Sequence, residues 1–258
     1  GEILPSQGYE RSDSAHPSFY DAVAAFDAGD ESALRQLLHR SPDLALASGF
    51  LDSSYEHAAL RGAGLIHLIA GYPQRTRLPD NALALADLLL EAGVDVNALT
   101  ADSASALELL AEADQPGWLG IDEQLFARLL TKGADANHNN GYLLWKILSG
   151  GNPRPKLAKL LADHGARVDL RLAAGLNDVE LAKQFFTSDG KLAADAGVSY
   201  RIPTRAPTDQ VILDEALSFA AINEAFATAE FLLEHGADIN AMPPNFFESA
   251  RDRGVSAL

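Results

Sequence analysis

Short apolar runs with the three-to-four-residue period of one-faced helices recur along the chain, and several end at a glycine. Near the end, Leu217, Ala220 and Ala221 mark one short helix, and Ala225, Ala229, Leu232 and Leu233 mark the next. Small residues let such a pair approach closely, and a pair with a single apolar face must bury it against neighbours. Four segments share one grammar of helix end, glycine and polar turn: LLLEAGVDVN at 88–97, LLTKGADAN at 129–137, LLADHGARVD at 160–169 and FLLEHGADIN at 231–240.

A helix that runs into a sharp turn favours a residue tolerant of positive φ, which Gly93, Gly133, Gly165 and Gly236 supply without a Cβ penalty. Two and four residues on stand Asp95 and Asn97, Asp135 and Asn137, Arg167 and Asp169, and Asp238 and Asn240. Their short side chains are predicted turn formers that bond nearby backbone. His164 and His235 directly precede their glycines, where an imidazole favours the negative end of the helix.

These segments resemble the LLLxxGADVNA end of the ankyrin repeat, whose period is about 33 residues. The glycine intervals are 40, 32 and 71 residues, and the last has room for a degenerate copy. LAAGLNDVELAKQFF at 172–186 fills it, with Asn177 where the family has glycine; asparagine is the next best residue for left-handed backbone. Residues 20–38 have the same grammar, closed by Pro42 and Asp43. The resemblance implies an all-α fold, an ankyrin-repeat solenoid of stacked helix-turn-helix units joined by β-turn fingers, in a single domain over 1–258. Six repeats are expected, at about 18–48, 62–98, 103–138, 140–170, 171–197 and 212–241. Residues 254–258 resemble the opening of a seventh, which predicts a natural chain continuing past Leu258.

Departures from the family pattern are local. Its TPLH motif appears only as residues 64–67 and 105–108, and insertions stand at 71–80, 117–120, 150–155 and 197–207. Residues 65–97 resemble the second repeat of a group of bacterial ankyrin proteins. His67 falls where the family keeps a helix-start histidine bonded to backbone.

Composition narrows the function. With 36 acidic against 20 basic residues the net charge is −16, which repels phosphate backbones and predicts no nucleic-acid partner. The expected partner is another protein with a basic or neutral surface. No cysteine is present, so disulfides, thiolate nucleophiles and cysteine-rich zinc sites are excluded. No apolar run approaches the roughly 20 residues that span a bilayer, so no membrane partner is expected and the chain reads as soluble and cytoplasmic.

No short metal-ligand spacing joins the seven histidines, and no Gly-x-Ser-x-Gly elbow is present. The acid pairs Asp30-Glu31 and Asp122-Glu123 stand at helix starts, where carboxylates complement the dipole. Residues 62–67 half-mimic a dinucleotide loop but lack its third glycine and a preceding strand. Arg75 and Arg77, with Arg201 and Arg205, form a basic cluster that reads as solubility or a local partner contact. Neither cofactor, metal nor catalytic residue is expected, and the chain does not read as an enzyme.

The resemblance implies partner binding on a concave surface of fingers and inner helices. The residues that the scaffold leaves free for it are Leu99, Thr100, Asp102, His138, Asn139, Asn140, Tyr142, Arg171, Met242, Asn245, Phe246 and Phe247. A protein-interaction scaffold is therefore the leading expectation. The alternatives are an acidic inhibitor or immunity-type protein that blocks a basic enzyme, and the targeting arm of a longer enzyme.

Overall fold

Side-chain caps and left-handed residues mark many of the helix boundaries in the computed structural model, which describes residues 16–52, 59–149, 154–197 and 208–241. The chain divides into two compact units, Gly1–Asp135 and Ala136–Leu258.

In the first unit, α1 (Phe19–Asp27) and α2 (Glu31–Arg40) pack together across a turn in which Gly29 has φ +70°. The Asp30 carboxylate accepts from Ala33 N at 2.9 Å, as an N-cap should. A 3-10 turn, Pro42–Leu46, leads into β1 (Ser48–Asp52), which pairs antiparallel with β2 (Ala59–Gly64). A second 3-10 helix, Leu65–Ala70, then meets α3 (Ala82–Glu91). Next come α4 (Ala106–Glu112), α5 (Gln115–Trp118) and α6 (Asp122–Thr131). Phe19, Phe26, Leu34, Leu65, Leu85 and Phe126 are fully buried and anchor this unit's core.

The insertion at 71–80 is pinned from inside. Arg75 donates from Nε and Nη2 to the Asp27 carboxylate at 2.9 and 2.8 Å, and this fork is largely buried. Gln115 donates to Gly71 O at 3.0 Å and accepts from Leu78 N at 2.6 Å. Arg75 is thus an internal clamp and not part of a partner-facing basic cluster. Arg77 is exposed and pairs with Asp80, while Arg201 and Arg205 lie outside the described residues.

The expected all-α solenoid is overturned here. Of the described residues about 56% are helical, and they also carry the β1–β2 hairpin, so the fold is mixed α/β. Residues 49–61 had no place in the repeat pattern, and their helical period is absent because side chains in β1 alternate between exposed and buried. Gly49 is required there, since a Cβ would lie 2.5 Å from Cε1 of Phe19. Opposite Phe50 the register slips, and Gly62 takes φ +64° in a bulge whose neighbour Arg61 accepts from Ala101 N at 2.8 Å. A strand therefore does run into the 62–67 segment. It pairs antiparallel and ends in a 3-10 helix, which is not the parallel unit a dinucleotide loop needs.

In the second unit, α7 (His138–Ser149) packs on α8 (Pro155–Asp163), and α9 (Leu170–Gly175) packs on α10 (Val179–Lys183). Residues Asp209–Ile222 form α11 and Phe226–Glu234 form α12. Helix α11 is 14 residues long, not the short helix expected. Ala173, Ala174, Ala216 and Ala220 are fully buried between α9 and α11, and their small side chains let the two helices approach closely. Leu233, expected in the core, is 40% exposed.

Candidate functional site

The four turn glycines adopt the left-handed backbone that their position demands, with φ between 83° and 96°, and Asn177 does so at 57°. Asp95 and Asp238 accept locally from Asn97 N and Asn240 N, both at 2.9 Å. Asn97 and Asn137 do something else. Asn97 donates to Gly133 O at 3.0 Å and accepts from Asp135 N at 2.7 Å. Asn137 makes the matching pair with Gly165 O at 2.8 Å and Arg167 N at 2.7 Å. One primary amide thereby satisfies both a carbonyl and an N–H of a later turn. Around Gly236 two side chains divide these bonds between them, with Gln210 donating to the Gly236 carbonyl at 2.9 Å and Asp214 accepting from Asp238 N at 2.8 Å.

The Asn137 bracket holds the most unusual backbone in the second unit. Asn139, Asn140 and Gly141 are consecutively left-handed, with φ of 50°, 59° and 83°. Asparagine is the side-chain-bearing residue that best tolerates this region. Asn140 accepts from Arg167 Nη1 at 2.7 Å, which ties this turn to the one that follows α8. The chain then enters the helical part of α7, where Tyr142 and Trp145 stand one turn apart. Their rings stack at 5.8 Å with planes 24° apart, and Lys146 Nζ lies 5.9 Å from the centroid of Tyr142. Tyr142, Trp145 and Lys146 are half-buried, and Trp145 also meets Phe219 of α11 at 6.4 Å. The result is a braced, partly exposed aromatic pair with Lys146 against the Tyr142 ring.

The expected contact residues divide. Leu99, 43% exposed, and Asp102 are displayed by the turn between α3 and α4 in the first unit. Thr100 is buried: its hydroxyl accepts from Ala104 N at 3.1 Å and its carbonyl from Ser103 N at 2.9 Å, so it builds that turn and presents nothing. His138, Asn139, Asn140 and Tyr142 are brought together at the start of α7. Arg171 is 7% exposed and is no contact residue. Its guanidinium forks onto Asp169 and reaches Glu215 at 3.1 Å, both carboxylates being buried. Burial pulls its pKa down, but the two carboxylates more than offset that and hold it above the usual value. Met242, Asn245, Phe246 and Phe247 lie outside the described residues, as does the expected seventh repeat. Sequence reasoning passed over Trp145, Lys146 and Arg167, although the three-residue step from Tyr142 to Trp145 within a helix signals a shared face.

His67 is fully buried where the first unit's hairpin meets its second 3-10 helix. Gly64 N donates to Nδ1 at 2.9 Å, which leaves the proton on Nε2 to be donated to Ala98 O at 3.1 Å. Burial lowers its pKa, with the backbone acceptors opposing. Unfolding therefore takes up a proton below the ordinary imidazole value of about 6.5. Stability is complete above that pH and declines as pH falls from about 6.5 toward the depressed folded value. Urea midpoints measured between neutrality and mild acid should fall, and the fall should be shallower in His67→Gln. Equal slopes would remove the assignment to this imidazole.

His164 Nδ1 meets Leu160 O at 2.8 Å and His235 Nδ1 meets Phe231 O at 2.7 Å, both at helix ends. Among the described residues no group of three or more histidine or acidic side chains could hold a metal ion, and no helix is long and apolar enough to cross a membrane. No family model matches the chain, and no curated protein matches it.

Proposed function

We propose that the chain binds another protein through the face that α7 presents in the second unit, and that it does so without catalysing a reaction. The observation that carries this reading is the stacked Tyr142–Trp145 pair, half-exposed behind a turn that Asn137 and Arg167 brace. Tyrosine and tryptophan bury a large rigid area at low entropic cost, which is why they dominate interface energetics. Bracing lowers that cost further.

Affinity capture from the source cell tests the reading. The intact chain should retain a partner that Tyr142→Ala/Trp145→Ala loses by about tenfold or more. Circular dichroism should show both proteins folded. Equal capture by both would overturn the assignment of this face.

A second reading, the acidic blocker of a basic enzyme, is favoured by the charge distribution. Residues 1–135 hold 21 acidic against 8 basic side chains, so most of the net charge of −16 resides in the first unit. Association that slows steeply with added salt would support it.

A further inference from the structure

Helix α12 turns Thr228 and Leu232 into the second unit's core, where the Thr228 hydroxyl donates to Ala174 O at 2.8 Å. Its far side is not polar throughout. Phe226 is 77% exposed and Leu233 40%, and their spacing of seven residues sets them in one row, about 10 Å apart along the axis. Glu230 and Glu234, one turn apart and both exposed, run beside that row. Among the described residues neither carboxylate is held in an ion pair. Across residues 208–241 there are seven carboxylates and no lysine or arginine. Asp214 and Glu215 are buried, which leaves Asp209, Glu224, Glu230, Glu234 and Asp238 exposed. On α10, which packs against α12, Lys183 pairs with Glu180 at 2.6 Å.

We infer that the outer face of α12 is a docking surface for a basic amphipathic segment of a partner protein, whose apolar side covers Phe226 and Leu233 while its lysines or arginines meet Glu230 and Glu234. This surface goes beyond the α7 reading and does not depend on it. An exposed phenylalanine and leucine in one row form the stripe by which a helix packs on another element. Charge complementarity selects the occupant. A second copy of the chain would bring a net charge of −16 to the same carboxylates, and a nucleic acid or anionic bilayer would bring phosphates. A basic amphipathic segment gains from both halves of the face. Covering the row removes apolar area from water, and the water it excludes strengthens the ion pairs alongside.

The full chain should be titrated with two fluorescein-labelled peptides of equal length, one placing leucines at helical spacing among lysines, the other among glutamates. Fluorescence anisotropy should show the lysine peptide binding in preference. Glu230→Lys/Glu234→Lys should weaken it by about tenfold or more, and so should Phe226→Ser/Leu233→Ser, which leaves the charge unchanged. Asp21→Lys/Glu91→Lys makes the same change in net charge at exposed positions of the first unit and should leave binding within about twofold. All three variants alter exposed side chains, and circular dichroism should show them folded. Equal losses from the two charge-reversed variants would mean that the peptide reads net charge, and would overturn the inference. So would binding that ignores either pair on α12, tighter binding of the glutamate peptide, or no binding of the lysine peptide. Two other occupants are distinguished in the same full chain. A dimer in sedimentation equilibrium that Phe226→Ser/Leu233→Ser dissociates would assign the face to a second copy. Tighter peptide binding by Arg251→Glu/Arg253→Glu would assign it to the chain's own residues 242–258, and either result overturns the inference.

Discussion

Replacing Arg171 by methionine should cost the second unit about 3–5 kcal/mol, because it takes the shared guanidinium from the buried carboxylates of Asp169 and Glu215. Asp169 cannot escape by rotating out, since its other oxygen accepts from Leu172 N at 3.1 Å and caps α9. Only two tryptophans are present, so in a Trp118→Phe background Trp145 reports this unit's urea unfolding. Asp169→Asn/Arg171→Met/Glu215→Gln should recover a large part of the loss, as removing all the charges also removes the desolvated imbalance. A loss of about 1 kcal/mol or less for Arg171→Met would place the triad among weak surface pairs and contradict its burial.

Phe19→Ala is expected to cost the first unit a similar amount, about 3–5 kcal/mol, through lost transfer energy and the cavity left behind. Phe19 is fully buried and lies over Gly49, so it is the side chain on which α1 and the hairpin meet. The converse change, Gly49→Ala, drives a methyl into the ring and should cost about 1–3 kcal/mol by overpacking. Combining the two should cost less than their sum, because the added methyl then enters the space the ring vacated. Unfolding followed through Trp118 in a Trp145→Phe background reads all three. Strict additivity would mean that the ring and the strand do not touch.

Local chemistry carried much of this architecture into legibility. The turn glycines, the Asp30 cap and the helix-end histidines were readable because each answers to neighbours within a few residues, whereas His67 was placed by the family resemblance and bonds both Gly64 N and the distant Ala98 O. The hairpin was not. Its strands are short, its alternation is broken by a bulge at Gly62, and its one essential constraint is a ring thirty residues upstream. Arg171, Thr100 and Arg75 were misplaced for a related reason. Each looks available in sequence, and each is consumed by a partner that only the fold supplies. At the candidate site, Asn139, Asn140 and Tyr142 were read as residues the scaffold leaves free, yet Asn139 and Asn140 carry a left-handed turn and Asn140 accepts from Arg167 across a helix hairpin, a contact that only the fold supplies.

By itself the sequence determined that Gly93, Gly133, Gly165, Gly236 and Asn177 take left-handed backbone at helix ends and how acidic the chain is, since these follow from short-range sterics and from counting charges. Tertiary structure decided which charges line the candidate face. In the second unit burial and pairing withdraw Asp169, Arg171 and Glu215 from the surface, while Lys146 lies against the stacked ring of Tyr142. A net charge is a sum over the whole chain, but a partner feels the field of one face, and the fold alone assigns charges to faces.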